Sequence, residues 1–289
     1  MNVGLIGVGL MGMSMAKRIL RANHRLIVYN RTREKAKALA HLGIGVARSP
    51  NEVITSSDCI ILIVSDAQAI QDVLFVQSSL TSLSGRTVIQ MGTISPHESI
   101  ALEKEVAGLG GDYLEAPVLG SIPETEKGEL IVMVGATPEH FRLWSEFLKC
   151  FGPEPLLIGP VGQAAALKLA LNQLIASLTA AFGLSLAFVK EKGIDVDLFM
   201  RVLRESVLYA PTFDKKIRRM IDRDYARPNF PSKHLFKDIK LFLNEAKSMS
   251  LETSSLEGVL HLVERTLISG WGESDYSAMF DTIRHRPSF

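Results

Sequence analysis

Cysteine is nearly missing from this sequence: Cys59 and Cys150 are the only two among 289 residues, and they stand far apart. No disulfide framework and no thiolate metal cluster can be assembled from such a pair, and a chain of this length buries enough core to fold without staples. An excess of one charge is missing too. Lys and Arg number 32 against 31 Asp and Glu, a formal net charge of +1, which excludes a global basic footprint for nucleic acid. The seven histidines show no paired ligand spacing, so no metal site is expected and a metal-dependent dehydrogenase is set aside. No secretory leader is expected either. Met1-Asn2-Val3-Gly4 runs directly into an apolar strand pattern, without a basic start or a small-residue cleavage site, and a reducing cytoplasm is the expected compartment. Long disorder is excluded by the balance of 47% hydrophobic and 22% charged residues.

One uncharged run is present. Residues 169–189 carry no charge over 21 positions, a length that nominally spans a bilayer. Asn172, Gln173, Ser177, Thr179 and Ser185 punctuate it, and Lys168 sits at its edge. The run therefore predicts a helix buried on nearly all sides at the centre of an α-helical domain, with no membrane partner.

The chain changes character near residue 160. Before it, short Val- and Ile-rich runs at 3–8, 26–30, 59–64, 87–91, 113–116 and 130–134 alternate with helical patterns such as 14–22 and 33–42. That βαβ rhythm predicts a largely parallel sheet covered on both faces. After Gly162 the strand signal stops, and helices are predicted over 196–206, 213–223, 232–250 and 257–268, broken at Gly193, Pro211, Pro228 and Pro231. The expected domains are 1–161 and 162–289.

Gly7-Val8-Gly9-Leu10-Met11-Gly12 follows the first strand and opens a helix, the context that a G-x-G-x-x-G pattern needs to bind a dinucleotide. Its glycines allow a tight turn, close approach of a pyrophosphate and helix–strand packing, while the helix N-terminal N–H groups of Leu10, Met11 and Gly12 face the anion. The second strand ends Val28-Tyr29-Asn30-Arg31-Thr32, with Asn30 where an NAD site places an acid for the ribose hydroxyls. Without that carboxylate, a guanidinium and a hydroxyl suit a 2′-phosphate, and NADP (NADPH) is the expected cofactor. A solvated turn with Thr32 as a helix N-cap is the plain alternative. Val64-Ser65-Asp66 and Met91-Gly92-Thr93 fall at carboxyl ends of later strands, the edge where such sheets bind ligands, although ordinary turns look the same.

Lys168 is the only charge between Gln163 and Val189, and Asn172 lies one helical turn beyond it. A buried lysine has a lowered pKa and can donate a proton near neutral pH, whereas a lysine at a helix start can also snorkel to solvent.

With these residues in view, the sequence resembles the β-hydroxyacid dehydrogenase family, near its glyoxylate and succinic semialdehyde reductase branch, over essentially the whole chain. The family's G-x-G-x-M-G-x-x-M-A opening matches Gly7, Gly9, Met11, Gly12, Met15 and Ala16. Its acid-Ala-Pro-Val-Ser-Gly loop stands as Glu115-Ala116-Pro117-Val118-Leu119-Gly120-Ser121, its Gly-x-Leu strand as Gly128-Glu129-Leu130, and its catalytic segment as Gly159, Gly162, Lys168 and Asn172. The Lys-Asp-hydrophobic signature is Lys237-Asp238-Ile239, for which a surface charge pair is the alternative reading.

The resemblance implies an α/β fold, in which an N-terminal Rossmann dinucleotide-binding domain is followed by an all-α C-terminal domain joined by a long helix. It implies that Lys168 is the general acid/base and Asn172 orients the substrate. The cofactor would be held by Gly7, Gly9, Leu10, Met11, Gly12, Asn30, Arg31, Thr32, Val64, Ser65, Thr93 and Lys237. A small carbonyl or hydroxy acid would meet Leu119, Gly120, Ser121, Thr93 and Asn172. A homo-oligomer, dimer or tetramer, is expected because so apolar a helix needs covering. Two departures stand out: Ala164 replaces a frequent Gly, and Leu119 occupies the place of a carboxylate-binding Ser, so either the backbone N–H groups of Gly120 and Ser121 carry the carboxylate or the substrate has a more apolar group at this point. Imine reductases share the architecture but typically lack the lysine at position 168. An inactive NADP-binding scaffold would have no need to keep Lys168, Asn172 and Lys237 together.

Overall fold

The computed structural model describes residues 1–76 and 82–284, and the chain divides into two compact units, Met1–Lys168 and Leu169–Phe289. The first unit is a nine-stranded sheet. Its strands are β1 (Asn2–Ile6), β2 (Arg25–Tyr29), β3 (Gly45–Val46), β4 (Cys59–Leu62), β5 (Thr87–Gln90), β6 (Asp112–Glu115), β7 (Val118–Leu119), β8 (Ile131–Gly135) and β9 (Leu156–Gly159). Between them lie α1 (Leu10–Arg21), α2 (Arg33–Lys37), α3 (Pro50–Thr55), α4 (Ala67–Gln71), α5 (Pro96–Gly108), α6 (Ile122–Lys127) and α7 (Pro138–Leu148).

The order β3-β2-β1-β4-β5-β6 is parallel throughout and reverses direction between β1 and β4, as in a Rossmann fold. β8 then pairs antiparallel with β6 and β7, and β9 runs parallel to β8. Side chains alternate between two cores. Leu5, Cys59 and Ile61 join Met15, Ile19 and Phe147 on one face, while Ile6, Ile60 and Leu62 join Val53, Leu102 and Val106 on the other. This is why β4 reads as an unbroken apolar run: both of its faces are buried. The expected helix over 33–42 is shorter than its pattern. It breaks after α2 into a 3-10 turn, Ala40–Leu42, that ends at Gly43 with φ +77°.

The long helix α8 (Gln163–Glu191) crosses the boundary between the two units, which falls after Lys168. By length and composition it could cross a membrane, and 44% of its most apolar window is buried. The expectation of burial on nearly all sides is corrected here: Leu184 is 63% and Phe188 61% exposed, with Leu174 and Leu178 also open.

The second unit continues with α9 (Val196–Glu205), α10 (Pro211–Asp222), α11 (Ser232–Ser248), α12 (Ser254–Thr266) and α13 (Met279–Arg284). Among the described residues it contains no strand, only an isolated bridge between Pro231 and Asp275. Two apolar clusters fill it, one around Leu235, Ile239 and Met279, the other around Phe182, Phe213 and Phe280.

Candidate functional site

The glycine loop has three glycines with three different surroundings. Gly7 sits at φ +108°, and a Cβ there would run into the Ile63 carbonyl; a Cβ at Gly12 would run into the Gly7 carbonyl. A Cβ at Gly9 would meet nothing within 4 Å. Gly9 is the N-cap of α1, a helix with no side-chain cap and no acid in its first turn. The helix thus presents uncapped N–H donors and the positive end of its dipole beside open space, which is what a pyrophosphate requires. The residues fit a dinucleotide.

Asn30 makes two bonds within the protein. Its Oδ1 accepts the Val8 N–H at 2.8 Å and its Nδ2 donates to the Thr32 carbonyl at 2.8 Å. The amide thereby ties the glycine loop to the end of β2. Arg31 and Thr32 are exposed, and Thr32, although the N-cap of α2, makes no capping bond with its hydroxyl. At the end of β4, Val64 is half-buried, and the Ser65 hydroxyl donates to Asp66 at 2.7 Å. Asp66 in turn caps α4 through the Ala69 N–H. Thr93 is half-buried beyond β5, on the same carboxyl edge of the parallel strands.

The loop after β6 holds the residues that the resemblance marks for substrate. Leu119 ends β7, opposite Ile131 of β8, and is half-buried. Gly120 is held at φ +129°, with Leu130 where a Cβ would go. The Ser121 N–H and hydroxyl both donate to Glu124 Oε2, each at 2.8 Å. Both of these Ser121 donors are thus engaged by Glu124 in this structure. The loop is moored to α1 through Thr125, whose hydroxyl points at Met11 Sδ at 3.5 Å, and through Arg21, which donates to the Glu126 carbonyl at 3.2 Å.

Lys168 is the sixth residue of α8 and is half-buried. Asn172, one turn further, is 2% exposed and donates through Nδ2 to Asp238 Oδ2 at 2.6 Å. Its Oδ1 is buried and has no hydrogen-bond partner among the described residues. Lys237 Nζ lies 3.0 Å from the other oxygen of Asp238. With Asp238 only 3% exposed, the alternative of a solvated surface pair is corrected. A buried carboxylate instead fixes the orientation of the amide and leaves its carbonyl oxygen as an acceptor for a donor on a ligand. The sequence marked Asp238 only as part of a motif; its function as the shared anchor of Asn172 and Lys237 was missed. Among the described residues no group of three or more His, Cys, Asp or Glu could hold a metal ion.

Comparison with known proteins covers both parts of the chain. Residues 2–159 match the family profile described as the NAD binding domain of 6-phosphogluconate dehydrogenase. Residues 162–283 match the one described as the NAD-binding of NADP-dependent 3-hydroxyisobutyrate dehydrogenase. The chain is 31% identical over 286 residues to 2-hydroxy-3-oxopropionate reductase of Escherichia coli (strain K12), covering 98% of this chain and 97% of that protein. It is 29% identical over 288 residues to glyoxylate/succinic semialdehyde reductase 1 of Arabidopsis thaliana, covering 98% and 99%. Among solved structures, a 3-hydroxyisobutyrate dehydrogenase from Salmonella typhimurium superposes with a TM-score of 0.87 at 24% identity, covering 97% and 99%.

Proposed function

The chain belongs to the β-hydroxyacid dehydrogenase family and is an NAD(P)-dependent oxidoreductase, and on that premise we propose that it uses NADPH to reduce small aldehyde acids. Glyoxylate and succinic semialdehyde are the first candidates, with oxidation of a β- or γ-hydroxy acid as the reverse reaction. Preference for NADPH rests on the exposed Arg31 and Thr32 and on the absence of an acid at Asn30. When bound, NADPH supplies the hydride. The protein supplies the rest: Lys168 stabilises the developing alkoxide and gives it a proton, while Asn172, held by Asp238, offers an acceptor that orients the substrate. Lys237 would close over the cofactor. The stripe of Leu174, Leu178, Leu184 and Phe188 left open on α8 supports a homo-oligomer, a dimer or tetramer, and the two buried free cysteines suit a reducing cytoplasm.

The observation that carries this reading is the pairing of Lys168 with a buried, oriented Asn172 on one helix. Imine reduction is the competing activity, and the lysine favours a carbonyl. The test is NADPH oxidation across aldehyde acids, keto acids and cyclic imines, run with the wild type and Lys168→Ala. Turnover of short aldehyde acids is expected. The variant should lose roughly 100-fold or more in kcat, the scale of a positioned general acid, with NADPH affinity kept. Near-native kcat in Lys168→Ala, or turnover of imines alone, would overturn the reading.

A further inference from the structure

Five helices are capped by the residue that opens them. Ser49, Asp66, Ser95, Thr137 and Asp195 each accept an N–H from the first turn of the helix that they open. At the start of α8 stands Gly162, at φ +99° and without a side chain to cap anything. A residue from elsewhere does the work. Glu115, the last residue of β6 and 1% exposed, places Oε1 on three N–H donors: Gly162 at 2.8 Å, Ala164 at 2.9 Å and Ala165 at 3.1 Å. Its Oε2 accepts the Ser99 hydroxyl, which lies 2.9 Å from Tyr113 Oη. Space for the carboxylate is made by Gly135 on β8, where a Cβ would collide with Glu115 Oε1.

Burying a carboxylate is costly, and a neutral cap would have served a helix that needed only stability. Burial does push the Glu115 carboxyl above the usual carboxylate range, with the Ser99 and backbone bonds pulling the other way. What the carboxylate accomplishes is geometric. Three bonds converge on one oxygen at a strand end, so the first turn of α8 is fixed to β6, and Lys168 follows within about one turn, roughly 5.4 Å of rise. The next residues after Glu115, Ala116 to Ser121, are the loop whose resemblance marks it for substrate.

We propose that Glu115 is a positioning residue for the proton donor: by capping α8 from β6 it sets where Lys168 stands relative to the substrate loop. The proposal rests on Lys168 being the donor, and side-chain length matters more in it than charge.

Glu115→Gln keeps the length and one acceptor oxygen, while Glu115→Asp keeps the charge but is one methylene too short. With glyoxylate and succinic semialdehyde as substrates, Glu115→Gln should hold kcat within a few-fold of wild type. Glu115→Asp should lose about 10- to 100-fold in kcat, the usual scale for a displacement near 1 Å. NADPH affinity, set by the glycine loop, should be unchanged in both, and kcat is counted per NADPH-binding site so that misfolded enzyme does not enter. Stability should sort the variants differently. The folded value of the carboxyl lies above the unfolded one, so its contribution is full below the unfolded value and is lost as pH rises through the folded value. Glu115→Gln should therefore melt no lower than wild type at neutral pH.

Wild-type kcat in Glu115→Asp, or a loss in Glu115→Gln as large as in Glu115→Asp, would overturn the proposal. Lys168→Ala run alongside separates the two ideas. If it is slow while Glu115→Asp is fast, only the positioning role fails; if it is itself fast, the donor assignment fails first.

Discussion

The two units build polar function in opposite ways. In Met1–Lys168 the glycine loop is built mostly from backbone: an uncapped helix start beside Gly9 and the carboxyl ends of parallel strands, with the Asn30 side chain holding the loop. In Leu169–Phe289 polar side chains are buried in pairs and triads. Asp238 gathers Asn172 and Lys237, Asp275 takes both of its oxygens to Lys216 at 2.8 Å, and Asp281 accepts from Tyr225 and Arg223. A backbone site tolerates changes of side chain as long as the chain path is kept. A network of buried charges does not, because each member removed leaves another unpaired in a low dielectric.

The largest effect that would test this contrast is at Lys216. Its ammonium is buried against Asp275 and lies 4.2 Å from the centre of the Tyr276 ring, and burial lowers its pKa. Lys216→Ala would strand Asp275, which is 0% exposed, with Ser277 as its remaining side-chain donor among the described residues. Removing one member of a buried pair costs about 3 to 5 kcal/mol. The measurement is urea unfolding followed by Trp271, which packs edge-on against Tyr225 in the helical unit, in a Trp144→Phe background so that one tryptophan reports. A loss under about 1 kcal/mol would place Lys216 with ordinary surface pairs and break the comparison.

The same contrast explains what could be read without coordinates. The glycine loop was legible because its three glycines act through spacing, and spacing is a property of sequence. Central strands such as β4 were legible because burial on both faces leaves a continuous apolar run. β3 and β7 were not marked, since two residues carry no periodicity, and β9 was not because its four residues are exposed or half-buried and form no apolar alternation. The bond from Val8 to Asn30 was not legible, because the two residues stand 22 positions apart and meet only when β1 and β2 pair. Asp238 looked like half of a surface pair, since its other partner, Asn172, is 66 residues away. Glu115 was visible only as a letter in a motif: nothing in its neighbourhood says that its carboxylate caps a helix beginning 48 positions later. The exposed face of α8 was misjudged for a related reason. Composition shows that a helix is apolar all round, not which side its own chain covers.

A smaller effect would sharpen the account of the first unit, where Arg31 is the exposed cation on which the proposed NADPH preference chiefly rests. Arg31→Ala should lower kcat/KM for NADPH by about ten- to a hundredfold, the equivalent of roughly 1.5 to 3 kcal/mol for one charge-assisted contact. The value for NADH should stay put, because the glycine loop that holds the pyrophosphate is untouched. An enzyme that used NADH as well as NADPH before mutation would show that the backbone site works without a selective side chain.

The smallest effect concerns Leu119, which carries no side-chain donor where the resemblance places a Ser. With the Ser121 N–H and hydroxyl both given to Glu124, the segment from Leu119 to Ser121 is poorer in donors than its resemblance suggests. Short acids should suffer most, since they have little other surface through which to bind. Leu119→Ser should therefore raise kcat/KM for glyoxylate by about 1 to 2 kcal/mol, the range of one added hydrogen bond, and raise it less for succinic semialdehyde. The readout is the ratio of the two specificity constants, which cancels any change in the amount of active enzyme. Because Leu119 is half-buried and paired with Ile131 across the strands, some stability will be lost, and the ratio is insensitive to that. An unchanged ratio would mean that Leu119 faces away from substrate. The low donor content of the loop would then be a matter of packing against β8 rather than of substrate choice.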